Sequence, residues 1–303
     1  MKGGTKSQGS VGLRRDAEAI ASALPPLLTE AEMLAATVSM GVHGRRRAGA
    51  GEDFWQYRQA MPGDTMSQID WRRSARSDAF YIRQMEWESA QSVSIWVDDA
   101  RAMDYRGAET PQTKRERASL LALALAVLLV KGGERVSLMG TGAAAPRNDR
   151  AQLGRMAIEL ADAGHGPIAG RPDHGTPPSE GFTRGGRAVF FSDFLGDLEA
   201  VRPAMERAAD HGVQGCLVQV LDETEEVFPF EGRMIFESMS GSVRFESHRA
   251  RALRDAYLAR LAEHRALLGE MARRLGWQIL HHHSSESPRA ALLWLYMALG
   301  PQR

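Results

Sequence analysis

From Val93 onward the chain alternates short, mostly apolar runs with longer stretches of helical periodicity. VSIWVDD (93–99), RVSLMGTG (135–142), RAVFFSD (187–193), VQGCLVQVL (213–221) and WQILHHH (277–283) predict strands, each bounded by turn or charged residues. Between and after them, helices are predicted over Lys114–Lys131, Arg150–Ala163, Leu198–His211, Arg249–Leu275 and Pro288–Leu299. Such alternation predicts an α/β fold: a doubly wound, mostly parallel, Rossmann-type sheet with helices on both faces. Ligands of these sheets sit at the carboxyl ends of strands. Asp98, Asp99 and Asp193, which end two of the runs, are therefore the first residues to test for chemistry.

Two segments break the alternation. GHGPIAGRPDHGTPPSEGFTRGG (164–186) is too rich in glycine and proline for regular structure. Within 222–247, GRMIFESMSGSVRFES places Ser-Gly between two alternating segments and predicts an inserted β-hairpin. Ahead of the sheet, TEAEMLAATVSM predicts a helix capped by Thr29, with Glu32 completing a capping box. Residues 1 to about 22 read as a polar tail, and GVHGRRRAGAG (41–51) as a basic glycine-rich loop. The organisation expected is a tail and short helix over 1–37, a signature segment over 38–90 packing on the core, and the sheet domain over 91–303.

Composition narrows the function classes. With 38 basic and 38 acidic residues, the balanced charge gives no argument for nucleic acid or a membrane surface. Cys216 is the only cysteine and sits in an apolar run, so it reads as a small core residue that needs no oxidising compartment. The amino terminus lacks the apolar centre of a secretion signal, and a cytoplasmic location is expected. Ala118–Val130 would span about 20 Å as a helix, short of the roughly 30 Å hydrocarbon layer, and so predicts a core helix. Lys114, Arg115, Glu116 and Arg117 read as its charged boundary.

The stretch GAGEDFWQYRQAMPGDTMSQIDWRRSAR, followed by FYIRQMEWE and a strand ending in aspartate, resembles the bacterial family called domain of unknown function 58. Glu52, Arg58, Asp64, Asp70, Trp71, Arg72 and Arg76 are among the matching positions. The resemblance implies a von Willebrand factor A-like domain that works beside a MoxR-type AAA+ ATPase and with other A-domain proteins, with no integral membrane segment here. Read from the residues alone, Pro62-Gly63 predicts a type II turn, and Asp64 a cap for the turn after it. Asp70, Arg58, Arg72 and Arg76 predict a bracing charge network around Trp71, with Trp71 and Phe54 as packing anchors.

A-type domains hold a divalent cation with an Asp-x-Ser-x-Ser loop, a threonine and a later aspartate, and the resemblance places these at Asp98, Thr176 and Asp193. Ala100 and Ala102 stand where the serines belong. Alanine donates no oxygen, so the expected site is degenerate and holds at most a weak Mg2+. His281, His282 and His283 could attract a transition metal, but neighbours on a strand alternate faces and no companion ligand motif is present. Arg45, Arg46 and Arg47 read as a solvated loop or a docking surface for an acidic partner. The function expected is a non-enzymatic interaction module, an adaptor or co-chaperone of the ATPase. The alternatives are a Mg2+-dependent ligand binder and a metal-dependent hydrolase using Asp98, Asp193 and the histidines.

Overall fold

The computed structural model describes residues 26–39, 48–61, 64–76, 79–86, 90–163, 170–239, 241 and 244–300, with backbone alone for 48–56, 68 and 83–86. The predicted tail, the Arg45–Arg47 loop and the Pro62-Gly63 turn lie outside these residues, as do the side chains of Glu52 and Phe54. Two compact units are present, one of residues 39–91 and one of the remaining chain.

The smaller unit is built on an antiparallel pair, β1 (Ala48–Gln59) and β2 (Tyr81–Glu86), in which Gln59 faces Tyr81. A short helix, α2 (Trp71–Ser74), follows Asp70, whose carboxylate caps it by accepting from the Arg73 amide at 2.9 Å. The helix before this unit in the chain, α1 (Pro26–Ser39), groups with the larger unit. It starts three residues before Thr29, because proline fits the first helical turn without losing a hydrogen bond. Thr29 is therefore inside the helix and does not cap it.

The larger unit is an α/β layer structure. Its strands are β3 (Ser92–Val97), β4 (Arg135–Leu138), β5 (Arg187–Ser192), β6 (Gln214–Leu221) and β9 (Gln278–His283). They form one five-stranded sheet in the order β4-β3-β5-β6-β9, with every neighbouring pair parallel. The helices are α3 (Lys114–Lys131), α4 (Arg150–Asp162), α5 (Leu198–Asp210), the short α6 (Glu223–Val227), α7 (Ala250–Arg274) and α8 (Pro288–Ala298). Thr113 and Glu116 form a capping box at the start of α3, and Leu120–Leu129 of this helix are buried throughout. That run lies against β3 to β6, with α4 and α8 on its flanks. In a second core, Trp96, Phe190 and Leu217 of the sheet and Trp277, just before β9, pack with Met205 of α5 and Leu268 of α7. Each such fully buried large side chain contributes about 2 kcal/mol relative to exposure. The expected hairpin is present as β7 (Met234–Glu237) paired antiparallel with β8 (Arg244–Ser247).

The strand order fixes where a ligand would sit. The chain leaves β3 for β4 on one side and then returns to place β5 on the other, so the order reverses between β3 and β5. Crevices at such switch points, beyond the carboxyl ends of the strands, are where doubly wound sheets bind.

Candidate functional site

Asp98 follows β3 and Asp193 follows β5, and the Asp98 amide donates to the Phe191 carbonyl at 2.8 Å, so both acids occupy that switch point. Asp98 is 1% exposed. Its Oδ1 accepts from the Ala100 amide at 2.8 Å and its Oδ2 from Ser192 Oγ at 2.6 Å. Burial raises its pKa against these two donors. The turn after Asp193 is strained. Phe194 has φ of 50°, in the left-handed region that costs a residue with a side chain of order 1 kcal/mol or more. Ser192 Oγ accepts the Phe194 amide at 3.0 Å and holds the turn.

The feature the sequence reading missed is Lys114. It stands at the first position of α3, and its side chain is 1% exposed. Its Nζ donates to Asp193 Oδ2 at 2.8 Å and to Glu225 Oε1 at 2.7 Å, and lies 5.7 Å from the centre of the Tyr105 ring. A cation at a helix amino terminus opposes the helix dipole. Burial also works against the ammonium, yet the Asp193 and Glu225 carboxylates outweigh it and hold its pKa above that of a free lysine. Burial would likewise raise Asp193, which is itself 1% exposed. Lys114 foremost, with the Leu195 amide at 3.0 Å, holds it well below the usual carboxylate range instead. Glu225 moves the other way, because its burial exceeds what Lys114 returns.

Lys114, read from the sequence as part of the charged boundary of the core helix, is thus a buried cation. Arg117 is also buried, and its guanidinium donates to the Ser284 and Glu286 carbonyls at 2.8 and 3.0 Å. Every residue of the helix from Arg117 to Leu129 is buried, so the spacing of Lys114 and Arg117 alone does not mark the two charges as buried.

The glycine- and proline-rich segment, over its described residues 170–186, supplies the third wall. Arg171 donates to the Ala100 carbonyl at 3.1 Å and pairs with Asp104 at 3.0 Å, while the Arg101 and Ala102 amides donate to Pro172 and Asp173. Gly175 lies so close to Asp98 that a Cβ there would stand 2.0 Å from Oδ1. Thr176, one residue on, is exposed. His174, absent from the expected site, lies with Nδ1 3.8 Å from Asp193 Oδ1, too long for a direct hydrogen bond, and the Asp193 carboxylate raises its pKa. The pocket lined by His174, Gly175, Asp193 and Phe194 has a volume of about 10 Å3, room for about one water.

This donor set does not fit an octahedral Mg2+. Each carboxylate oxygen of Asp98 and Asp193 already accepts a hydrogen bond or contacts a cationic side chain. Ala100 and Ala102 offer no side-chain oxygen. A buried ammonium already compensates Asp193. Among the other candidates, His281 Nδ1 pairs with Gln219 Oε1 at 2.7 Å, and His283 contacts Glu226 and Glu286. Gln219 in turn donates to the Asp193 carbonyl at 2.9 Å and accepts from Arg265. His282 is buried and neutral, its pKa lowered to about 4 by that burial.

In the smaller unit, Arg58 and Asp70 of the expected bracing network are engaged among the described residues. Arg58 grips Asp64 through two bonds of 2.7 Å, and Asp64 accepts from the Met61 amide at 2.6 Å. Asp70 caps α2 and accepts from Tyr57 Oη at 3.3 Å. Arg72 and Arg76 are exposed, with no ion pair among the described residues. Trp71 is 52% exposed and meets Phe80 edge-on, so within this unit it is a surface pair and not a buried anchor.

Fold and site together define a doubly wound α/β domain whose strand-end crevice is closed by an internal ion pair. Residues 56–267 match the family described as "Protein of unknown function DUF58", and the chain belongs to that family. "Uncharacterized protein Mb1516" of Mycobacterium bovis and "Uncharacterized protein Rv1480" of Mycobacterium tuberculosis are each 29% identical over 243 residues, covering 77% of this chain and 74% of theirs. The crystal structure of conserved hypothetical protein BatB from Bacteroides thetaiotaomicron is similar at 14% identity and a TM-score of 0.41, over 69% of this chain and 98% of that one.

Proposed function

We propose that this chain is a non-enzymatic interaction module, a von Willebrand factor A-like domain serving as adaptor or co-chaperone to a MoxR-type AAA+ ATPase in the assembly or remodelling of another complex. One observation carries the reading. The acids at the sheet edge are spent on an ammonium, a hydroxyl and backbone amides, and the adjoining pocket has room for about one water. Such an edge suits recognition of another protein's surface better than turnover of a bound substrate. The ATPase enters through the family resemblance alone. A cytoplasmic setting fits the single buried cysteine, and no helix of the described residues is long and apolar enough to cross a membrane.

Affinity capture of the tagged chain from its native cells, with a non-hydrolysable ATP analogue present, tests the reading. Recovery of an AAA+ ATPase that dissociates when ATP turns over is expected. Capture without any such ATPase contradicts it. The second reading, a Mg2+-dependent ligand binder, has the internally filled carboxylates of Asp98 and Asp193 against it, and calorimetric titration with Mg2+ and Mn2+ tests it. The hydrolase reading gains no support from the histidine run, since His281 and His283 are engaged with Gln219, Glu226 and Glu286.

A further inference from the structure

We infer that Lys114 is the resident cation of the switch-point crevice: its ammonium takes the electrostatic place of a divalent metal, and the domain works without Mg2+ or Mn2+. Four observations converge. The Nζ sits 2.8 Å from Asp193 and 2.7 Å from Glu225, inside the fold and not at its rim. The Asp98 oxygens are held by the Ala100 amide and by Ser192, and the loop at Gly175 closes directly onto Oδ1. The positions that would carry metal-binding hydroxyls are Ala100 and Ala102, and Ala100 is fully buried. Finally, α3 directs a cation from its own first turn, against its dipole, to a position where two carboxylates compensate for it.

An ammonium and a divalent cation differ in a way that gives the arrangement a consequence. A divalent ion exchanges with solvent, and a ligand's carboxylate can complete its coordination. The lysine is covalently part of the chain, its contacts are filled from within, and the loops over Asp98 stay closed whatever the ionic medium. Partner binding at this edge is accordingly insensitive to chelator. The inference does not depend on who the partner is, so failure to capture an ATPase leaves it standing, and its own failure is read from metal alone.

The test uses the full chain with MnCl2 or MgCl2 as the probe, matched in ionic strength with KCl. For the wild type, electron paramagnetic resonance should show no bound Mn2+ at millimolar metal, and the unfolding temperature should not move with Mn2+, Mg2+ or EDTA. The Lys114→Ala variant removes the ammonium and opens space beside Asp193 and Glu225. Its unfolding temperature should rise with Mn2+, and the rise should vanish in the K114A/D193N double variant. If K114A does not fold alone, refolding with Mn2+ but not with KCl supports the inference, and failure in both media overturns it. One Mn2+ bound to the wild type and lost in D98N or D193N overturns it as well, as does a folded K114A whose stability ignores metal.

Discussion

Replacing Lys114 by methionine keeps the length and packing of the side chain while deleting its charge. Lys114 and Asp193 are each 1% exposed and 2.8 Å apart, so the deletion strands a buried carboxylate beside Glu225. Removing one partner of such a pair costs about 3–5 kcal/mol, a large share of the 5–15 kcal/mol that stabilises a typical domain. Urea unfolding followed by tryptophan fluorescence measures the loss from the shift in midpoint at unchanged slope. The pH dependence carries a second signature. In the wild type the depressed Asp193 contributes stability that is present above its unfolded value of 3.8 and lost as pH falls toward the folded one. In K114M the carboxylate is buried without its counter-ion, its folded pKa lies above the unfolded value, and the folded state binds the proton first. Stability of the variant should therefore recover as pH is lowered from about 7 to about 5, opposite to the wild-type trend. Adding D193N to K114M should cost less than the two single losses summed, by about 1–3 kcal/mol. A K114M loss within about 0.5 kcal/mol, the range of an ordinary surface substitution, refutes the account of the crevice.

Gly175→Ala should destabilise by about 1–3 kcal/mol in thermal unfolding, because its Cβ would stand 2.0 Å from Asp98 Oδ1. Gly154→Ala, in α4 with nothing within 4 Å, should instead stabilise by up to about 1 kcal/mol. Acid unfolding of the wild type should begin with His282, whose pKa falls from 6.5 to about 4 through burial, so that the unfolded chain takes up its proton first. It should steepen as pH falls from 4.5 toward about 2, where Glu226, paired with Arg265, and Asp222, buried but held by Thr224, Gly107 and Thr110, protonate. Urea midpoints across that pH range check this, and Arg265→Ala should flatten the part owed to Glu226. Trp71→Ala should change the stability of the isolated chain little, since half of its surface is already exposed.

Periodicity located the parallel sheet because its strands are short apolar runs and its helices repeat every three to four residues. The ends of β3 and β5 could be placed from Asp98 and Asp193 alone, since a carboxylate rarely continues a buried strand. Predicted β4 ran too far, to 142, where the left-handed Gly140 ends it after Leu138. Thr29 misled because a capping box is a local pattern, and proline three residues earlier offered an equally good start. Lys114 misled for a deeper reason. A lysine before an apolar helix is normally solvated, and only the arrival of Asp193 and Glu225, 79 and 111 residues away, turns it inward. Loop 170–176 could be flagged as irregular, but its closure onto Asp98 depends on long-range contacts that no spacing encodes.

Crystals soaked in MnCl2, with anomalous scattering recorded at the manganese edge, test the central claim most directly. The account predicts Lys114 Nζ between Asp193 and Glu225, with no anomalous peak at the carboxyl ends of β3 and β5. A manganese peak ligated by Asp98 or Asp193, with the lysine displaced, contradicts it.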